Sequence, residues 1–228
     1  MKGNLRSINF CTAAKLKMTS IKVENRDMDT TKDTTINSET SLDYYECLND
    51  IYINKYMDLI TQRSANEVYV FDTFFFTAFS EKGFSSVYHW TKNINIFSKK
   101  KLMIPIYTKE ENRWSLVYVD MTKEKMIYYD KFGKNNSKHM RLIMKYLKLE
   151  HFLRNGVFLK TFFIQIPSSI FSSNVFFDCG LFICVIAEHL SRNARLLFSL
   201  TDMKRFHKQI VCDVKDDNIS FLISSYNT

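Results

Sequence analysis

Apolar residues recur at near-helical intervals from residue 50 to residue 63. Ile51, Ile53, Tyr56, Met57, Leu59 and Ile60 there predict an amphipathic helix. Val68-Tyr69-Val70-Phe71 predicts a short strand, and the aromatic run Phe74-Phe75-Phe76 follows it. Residues 85–92 predict another short helix. Leu102-Met103-Ile104-Pro105-Ile106-Tyr107 predicts a buried strand, whose proline favours a sheet edge or a strand end because it offers no N–H to a ladder. Residues 114–120 and 125–130 predict two more strands, separated by a turn at Thr122-Lys123-Glu124. A helix is predicted over 138–149, with Met140, Ile143, Met144 and Leu147 on one face. A strand over 159–166 and helices over 178–190 and 200–214 complete the chain. No internal repeat is visible. Helices flank a central block of strands, so the predicted class is α+β.

Residues 1–41 break this pattern. They are rich in Thr, Ser, Asn, Asp and Lys, and Thr30-Thr31-Lys32-Asp33-Thr34-Thr35 has no apolar period. The expectation is a polar, disordered segment over 1–41 and one packed domain over 42–228. The 228 residues are 46% hydrophobic and 15% aromatic, enough for a substantial core. A net charge of +8 suits an acidic protein surface or a nucleic acid and does not choose between them. The run Lys99-Lys100-Lys101 is more often a solvated strand edge or loop than a binding site, and no nucleic-acid signature accompanies it. Nucleic acid is therefore not the expected partner. The cysteines are Cys11, Cys47, Cys179, Cys184 and Cys212. Their odd number and wide spacing argue against a disulfide framework, and no CxxC pair suggests structural zinc. No metal or cofactor is expected, and a reducing compartment, nucleus or cytoplasm, is favoured. The first 18 residues lack the apolar core of a signal peptide. The longest apolar run, 180–187, is too short to span a bilayer, so no membrane partner is expected.

Two segments carry candidate chemistry. Phe177-Asp178-Cys179-Gly180-Leu181-Phe182 places a thiol at a predicted helix N-terminus, where the macrodipole favours the thiolate. Taken alone, such a cysteine is more often a buried structural residue. The hairpin from Arg113 to Asp130 brings its two ends together, as a base and its orienting carboxylate require. Taken alone, it also fits an ordinary hairpin closed by an Arg–Asp pair.

In order along the chain, the motifs become specific. Leu48-Asn49-Asp50 with Ile53-Asn54 and Tyr56-Met57, then Phe71-Asp72-Thr73-Phe74-Phe75, then Gly83-Phe84 with Val87 and Trp90-Thr91-Lys92 come first. Phe97, Ile104-Pro105-Ile106, Trp114-Ser115-Leu116-Val117, Asp120 and Tyr129-Asp130 follow. Ile166-Pro167 and Asp178-Cys179-Gly180-Leu181-Phe182 with Cys184 close the set. This series resembles the ubiquitin-like protease (Ulp/SENP, sentrin-specific protease) family from about residue 42 to the C-terminus.

The resemblance implies a papain-like cysteine protease fold, with a central mixed sheet flanked by helices. It implies cleavage after the Gly-Gly end of SUMO-type modifiers, and a SUMO-type modifier with its conjugates as partner. A monomer is expected. By resemblance, Cys179 is the nucleophile and Asp130 the acid that orients the base. Trp114 covers the diglycine tail, Asp50 faces the modifier, and the Cys179 N–H helps to bind an oxyanion.

Three positions depart from the family pattern. Arg113 stands directly before Trp114, where the base histidine is expected. Cys47 stands where relatives carry a second tryptophan over the diglycine tunnel. The oxyanion glutamine is missing: Ser173 occupies its place, with Asn174 beside it as an amide donor and Gln165 just before the Ile-Pro pair. None of His89, His139, His151, His189 and His207 falls on the motif. The expected activity is a SUMO isopeptidase with impaired turnover. The alternative is a pseudoprotease that binds the modifier without cutting it.

Overall fold

The structure is a computed structural model that describes residues 47–134, 136–167 and 178–226. The predicted N-terminal segment 1–41 lies outside the described residues.

The first helix, α1, covers Asp50–Arg63. Asn49 caps it, its side chain accepting from the Tyr52 N–H at 3.1 Å. Asp50 in the first turn and Arg63 in the last oppose the helix dipole. Most of the apolar spacing read from the sequence is its buried face, with Ile53, Tyr56, Met57, Leu59 and Ile60 interior, but Ile51 is exposed. The Phe-rich run becomes a second helix, α2, at Phe75–Lys82. Phe75 and Phe79 are four residues apart and both pack against Tyr146, which selects helix over the extended form that aromatic residues favour. The helix predicted over 85–92 is instead two single 3₁₀ turns, Phe84–Ser86 and Tyr88–Trp90. The Ser86 hydroxyl contacts the Ala78 and Gly83 carbonyls, and this local bonding competes with a continuous helix.

Five strands form one sheet in the order β1-β2-β3-β4-β5. They are β1 (Val68–Val70), β2 (Lys101–Thr108), β3 (Arg113–Asp120), β4 (Lys125–Tyr129) and β5 (Phe163–Gln165). The β1–β2 and β4–β5 pairs are parallel, and the two central pairs are antiparallel. The sheet is therefore mixed. The proline strand β2 is not a sheet edge, because β1 and β3 both pair with it. However, β1 reaches only Met103, so at Pro105 the ladder runs on the β3 side alone. The strand predicted over 159–166 shrinks to three residues, the length over which β4 pairs with it.

The long helix α3 covers Ser137–Asn155, α4 covers Cys179–Ser191 and α5 covers Leu200–Asp216. Alternation along β3 separates two cores. Trp114, Leu116 and Tyr118 join α1, α4 and α5 on one face. Val117 and Val119 join α2 and α3 on the other. Helix α4 is buried from Gly180 through His189, which explains its nearly unbroken apolar sequence.

Candidate active site

Three chain segments converge at one end of the sheet: the start of β3, the end of β4 and the first turn of α4. The β2–β3 connection sets the first of these. The 3₁₀ turn Lys109–Glu111 ends at Asn112 in the left-handed region (φ 47°), a conformation asparagine tolerates better than most residues. The Tyr107 hydroxyl, 2.5 Å from Asn112 Oδ1, closes that turn and delivers Arg113 to the strand's first position. Leu116 pairs with Tyr129, so Arg113 and Asp130 fall at the same end of the β3–β4 hairpin.

Arg113 is 6% exposed and Asp130 is 5% exposed. Arg113 Nε lies 3.3 Å from Asp130 Oδ2, and its terminal nitrogen pairs with Glu111. The guanidinium also lies over the Phe132 ring, 5.7 Å from its centre. Asp130 Oδ1 accepts from the backbone N–H groups of Phe132 (2.8 Å) and Lys134 (3.1 Å), which pins the following turn. One carboxylate oxygen thus orders the loop and the other is aimed at residue 113. Neither Arg113 Nε nor Asp130 Oδ2 has an aligned hydrogen bond among the described residues, so their contact is electrostatic. We expect Asp130→Asn, which keeps the loop contacts and removes the charge, to cost about 1–3 kcal/mol in chemical denaturation.

Asp178 caps α4. Its carboxylate accepts from Gly180 N–H (3.1 Å) and Leu181 N–H (3.0 Å), and from the distant Leu48 N–H at 2.7 Å. The last bond ties the lead-in of α1 to the start of α4. Gly180 is required at this junction: a Cβ there would lie 2.8 Å from the Leu48 carbonyl oxygen. Burial raises the Asp178 carboxyl above its ordinary range, against the pull of the three backbone N–H groups and of His207 on α5.

Cys179 is the first residue of α4 and is partly buried. The helix end was expected to depress its pKa. Instead burial pushes the thiol up, with Asp178 and Asp130 acting in the same direction. Lys131 and a backbone N–H bond from Trp114 act the other way. The resting site therefore favours thiol over thiolate.

Sequence reasoning missed Lys131. It directly follows Asp130 and is only 6% exposed, and its charge is coupled to Cys179 and to Asp178. The available signal was its position beside the acid at a strand end, but sequence shows adjacency and not depth.

The other predicted positions are less tightly grouped. Trp114 is interior, its ring tilted against Tyr107 with centroids 5.0 Å apart. Cys47 is exposed at the approach to α1. Asp50 is 5% exposed, and its Oδ1 has no hydrogen bond among the described residues. Ser173 and Asn174 lie outside the described residues. His189 is fully buried between Phe198 and Phe206, its Nδ1 2.9 Å from the Val185 carbonyl oxygen. It sits ten residues along α4 from Cys179, about 15 Å at the helical rise. His139 opens α3 against Phe76. None of the largest charge effects on the thiol comes from an imidazole.

The comparisons with known proteins point to one family. The family model "Ulp1 protease family, C-terminal catalytic domain" matches residues 46–220. The chain is 31% identical over 182 residues to sentrin-specific protease 2 of Homo sapiens, covering 76% of this chain and 31% of that protein. It is 32% identical over 164 residues to sentrin-specific protease 3 of Homo sapiens, covering 72% of this chain and 28% of that protein. It thus spans less than a third of the length of these relatives. A solved structure of the SUMO protease Ulp1, its catalytic cysteine oxidised to a sulfinic acid, superposes with a TM-score of 0.67 at 25% identity. The match covers 77% of this chain and 80% of that one. The Ulp1 protease domain solved in complex with Smt3, the yeast orthologue of SUMO, has the same fold at 24% identity and a TM-score of 0.67, covering 77% of this chain and 79% of that one. The α+β fold and the motif order thus have one source: the chain belongs to the Ulp1 protease family and contains its C-terminal catalytic domain.

Proposed function

We propose that this domain is a SUMO-directed cysteine peptidase by descent, acting after Gly-Gly on precursors and lysine conjugates, with impaired turnover. The observation that carries this reading is the buried Arg113–Asp130 ion pair directly before Trp114. Cys179 supplies the nucleophile, and its own N–H at the start of α4 would hold a developing oxyanion. Asp130 retains the orienting geometry but holds a guanidinium. Amide cleavage needs a group that accepts a proton and returns it, and arginine keeps its proton at any working pH. Loss of such a group costs roughly 10²–10⁴-fold.

A second reading is a pseudoprotease that retains the modifier without turning it over. The exposed Cys47, standing where an aromatic cover is expected, favours it. Either way the partner is a SUMO-type modifier, the protein acts as a monomer, and its place is the nucleus or cytoplasm.

One pair of assays separates the readings. SUMO with an electrophilic C-terminus is expected to form a covalent adduct at Cys179, and a SUMO–lysine conjugate to be cleaved slowly. Cys179→Ser should abolish both. Reversible binding with no adduct and no cleavage would support the pseudoprotease instead.

A further inference from the structure

The chain's net charge of +8 is not spread evenly. Residues 137–165 hold six lysines and arginines and one acid, Glu150. That acid is buried and already engaged, by Arg154 at 2.6 Å and by the Thr91 hydroxyl at 2.8 Å. Five of the eight net positive charges therefore sit on α3, β5 and the chain between them. A groove of about 410 Å³ runs along these elements. Arg141, Lys145 and Lys148 form a stripe on its α3 side, at positions that share one helix face. Met144, Phe158 and Ile164 give it an apolar lining, and no acid borders it among the described residues. Arg141 donates to the Ser137 hydroxyl at 3.2 Å and Lys148 to the Thr161 hydroxyl at 2.5 Å. None of the three cations pairs with a carboxylate among the described residues.

We propose that this groove docks an acidic, extended segment of a partner protein. Its carboxylates meet Arg141, Lys145 and Lys148, and the apolar side chains between them meet Met144, Phe158 and Ile164. The spacing suits an extended chain. Arg141 and Lys145 lie about 6 Å apart along the helix axis. Alternate residues of an extended chain are about 6.6 Å apart and point the same way. An acid at every second position thus follows the stripe, and the residues between turn to the opposite wall. The groove also borders the edge of the sheet. Among the described residues β5 pairs with β4 alone, so its other side can bond an extended backbone.

Other occupants fit less well. A nucleic acid would satisfy the cations, but its bases need a free aromatic face. Phe158 spends one face on Phe152, the rings stacked with centroids 4.4 Å apart, and the rest of the apolar lining is aliphatic. A second copy would bring the same excess of positive charge to its own groove. The groove lies away from the thiol. Met144 and Ile164 join the core on the α2–α3 face of the sheet, whereas Cys179 packs on the opposite face. A docked segment therefore anchors a partner without covering Cys179. The proposal does not rest on the peptidase reading.

The test titrates the full chain into a fluorescein-labelled peptide in which Glu alternates with Leu and Phe, followed by fluorescence anisotropy. Saturable binding with a Kd below about 0.1 mM is expected. The double variant Arg141→Glu, Lys145→Glu should weaken it at least tenfold, roughly the worth of two surface ion pairs turned to repulsion. Phe158→Ala should weaken it roughly tenfold through the lost apolar contact. All three side chains are exposed, so the urea midpoint should hold in both variants. The same peptide with Gln for Glu should not bind. Wild-type affinity in either variant, or equal binding of the Gln peptide, would overturn the proposal. So would a single-stranded DNA that binds more tightly than the peptide and is lost in the double variant, which would give the groove to nucleic acid. Self-association in sedimentation that Phe158→Ala removes would give it to a second copy and overturn the proposal as well. Peptide binding by a protein that forms no adduct with electrophilic SUMO would refute the peptidase reading and leave the groove assigned.

Discussion

Arg113→His is expected to raise turnover of a SUMO C-terminal amide by roughly 10²–10⁴-fold, the usual worth of a general acid–base. The scaffold for that gain is in place. Asp130 Oδ2 is aimed at residue 113, and its Oδ1 is held by two backbone N–H groups, so the carboxylate cannot swing away. That Oδ2 lacks an aligned hydrogen bond among the described residues, and an imidazole N–H would supply one. The ring's other nitrogen could then serve the thiol. The substitution costs Glu111 one of its two cationic partners, and Glu111 keeps Lys134 and is partly exposed, so it can be rehydrated at little cost. A kcat/KM series on wild type and variant measures the effect. No gain would place the dominant defect at Cys47 or at the missing oxyanion glutamine.

The largest stability effect is expected at the other end of the helix that carries the nucleophile. Glu188 is fully buried, 3.1 Å from Arg63 of α1 and 2.9 Å from Arg192, the residue that ends α4 as its C-cap. Its 3.3 Å contact with His189 Nδ1 is not a further ion pair: burial keeps that imidazole neutral, and Nδ1 is engaged by the Val185 carbonyl. Glu188→Ala would leave two guanidinium groups without their buried counter-charge. Breaking one side of such a cluster costs about 3–5 kcal/mol. The lower end applies here, because Arg63 and Arg192 retain some access to water. The expected result is a lower urea midpoint with an unchanged m-value. Because this cluster ties α4 to α1, the variant should also loosen the Cys179 end, seen as faster amide exchange in the first turn of α4.

The parts legible in the sequence were those set by local pattern. Helix α1 has the predicted bounds, because its apolar stripe and its Asn49 cap act within a few residues. The β3–β4 hairpin and the start of α4 were legible for the same reason, and so was the meeting of Arg113 with Asp130. Features set by distant partners were not. Helix α2 arises because Phe75 and Phe79 pack against Tyr146, far along the chain. Strand β5 is short because β4 gives it a partner for only three residues. The Cys179 pKa moved against expectation because burial is a property of the whole fold and outweighs the helix end. Depth also separates Asp50, read as facing a partner and found buried, from Lys131, which the sequence reading passed over.

The pH dependence of kcat/KM, measured on wild type and Arg113→His with one SUMO C-terminal amide, tests the loss of the histidine shuttle most directly. With arginine at position 113, the rising limb should follow the raised Cys179 thiol into the alkaline range. With histidine there, a new rising limb near the imidazole value of about 6.5 should appear. Superimposable profiles would contradict the account, because the side chain before Trp114 would then have no part in moving protons to or from the sulfur.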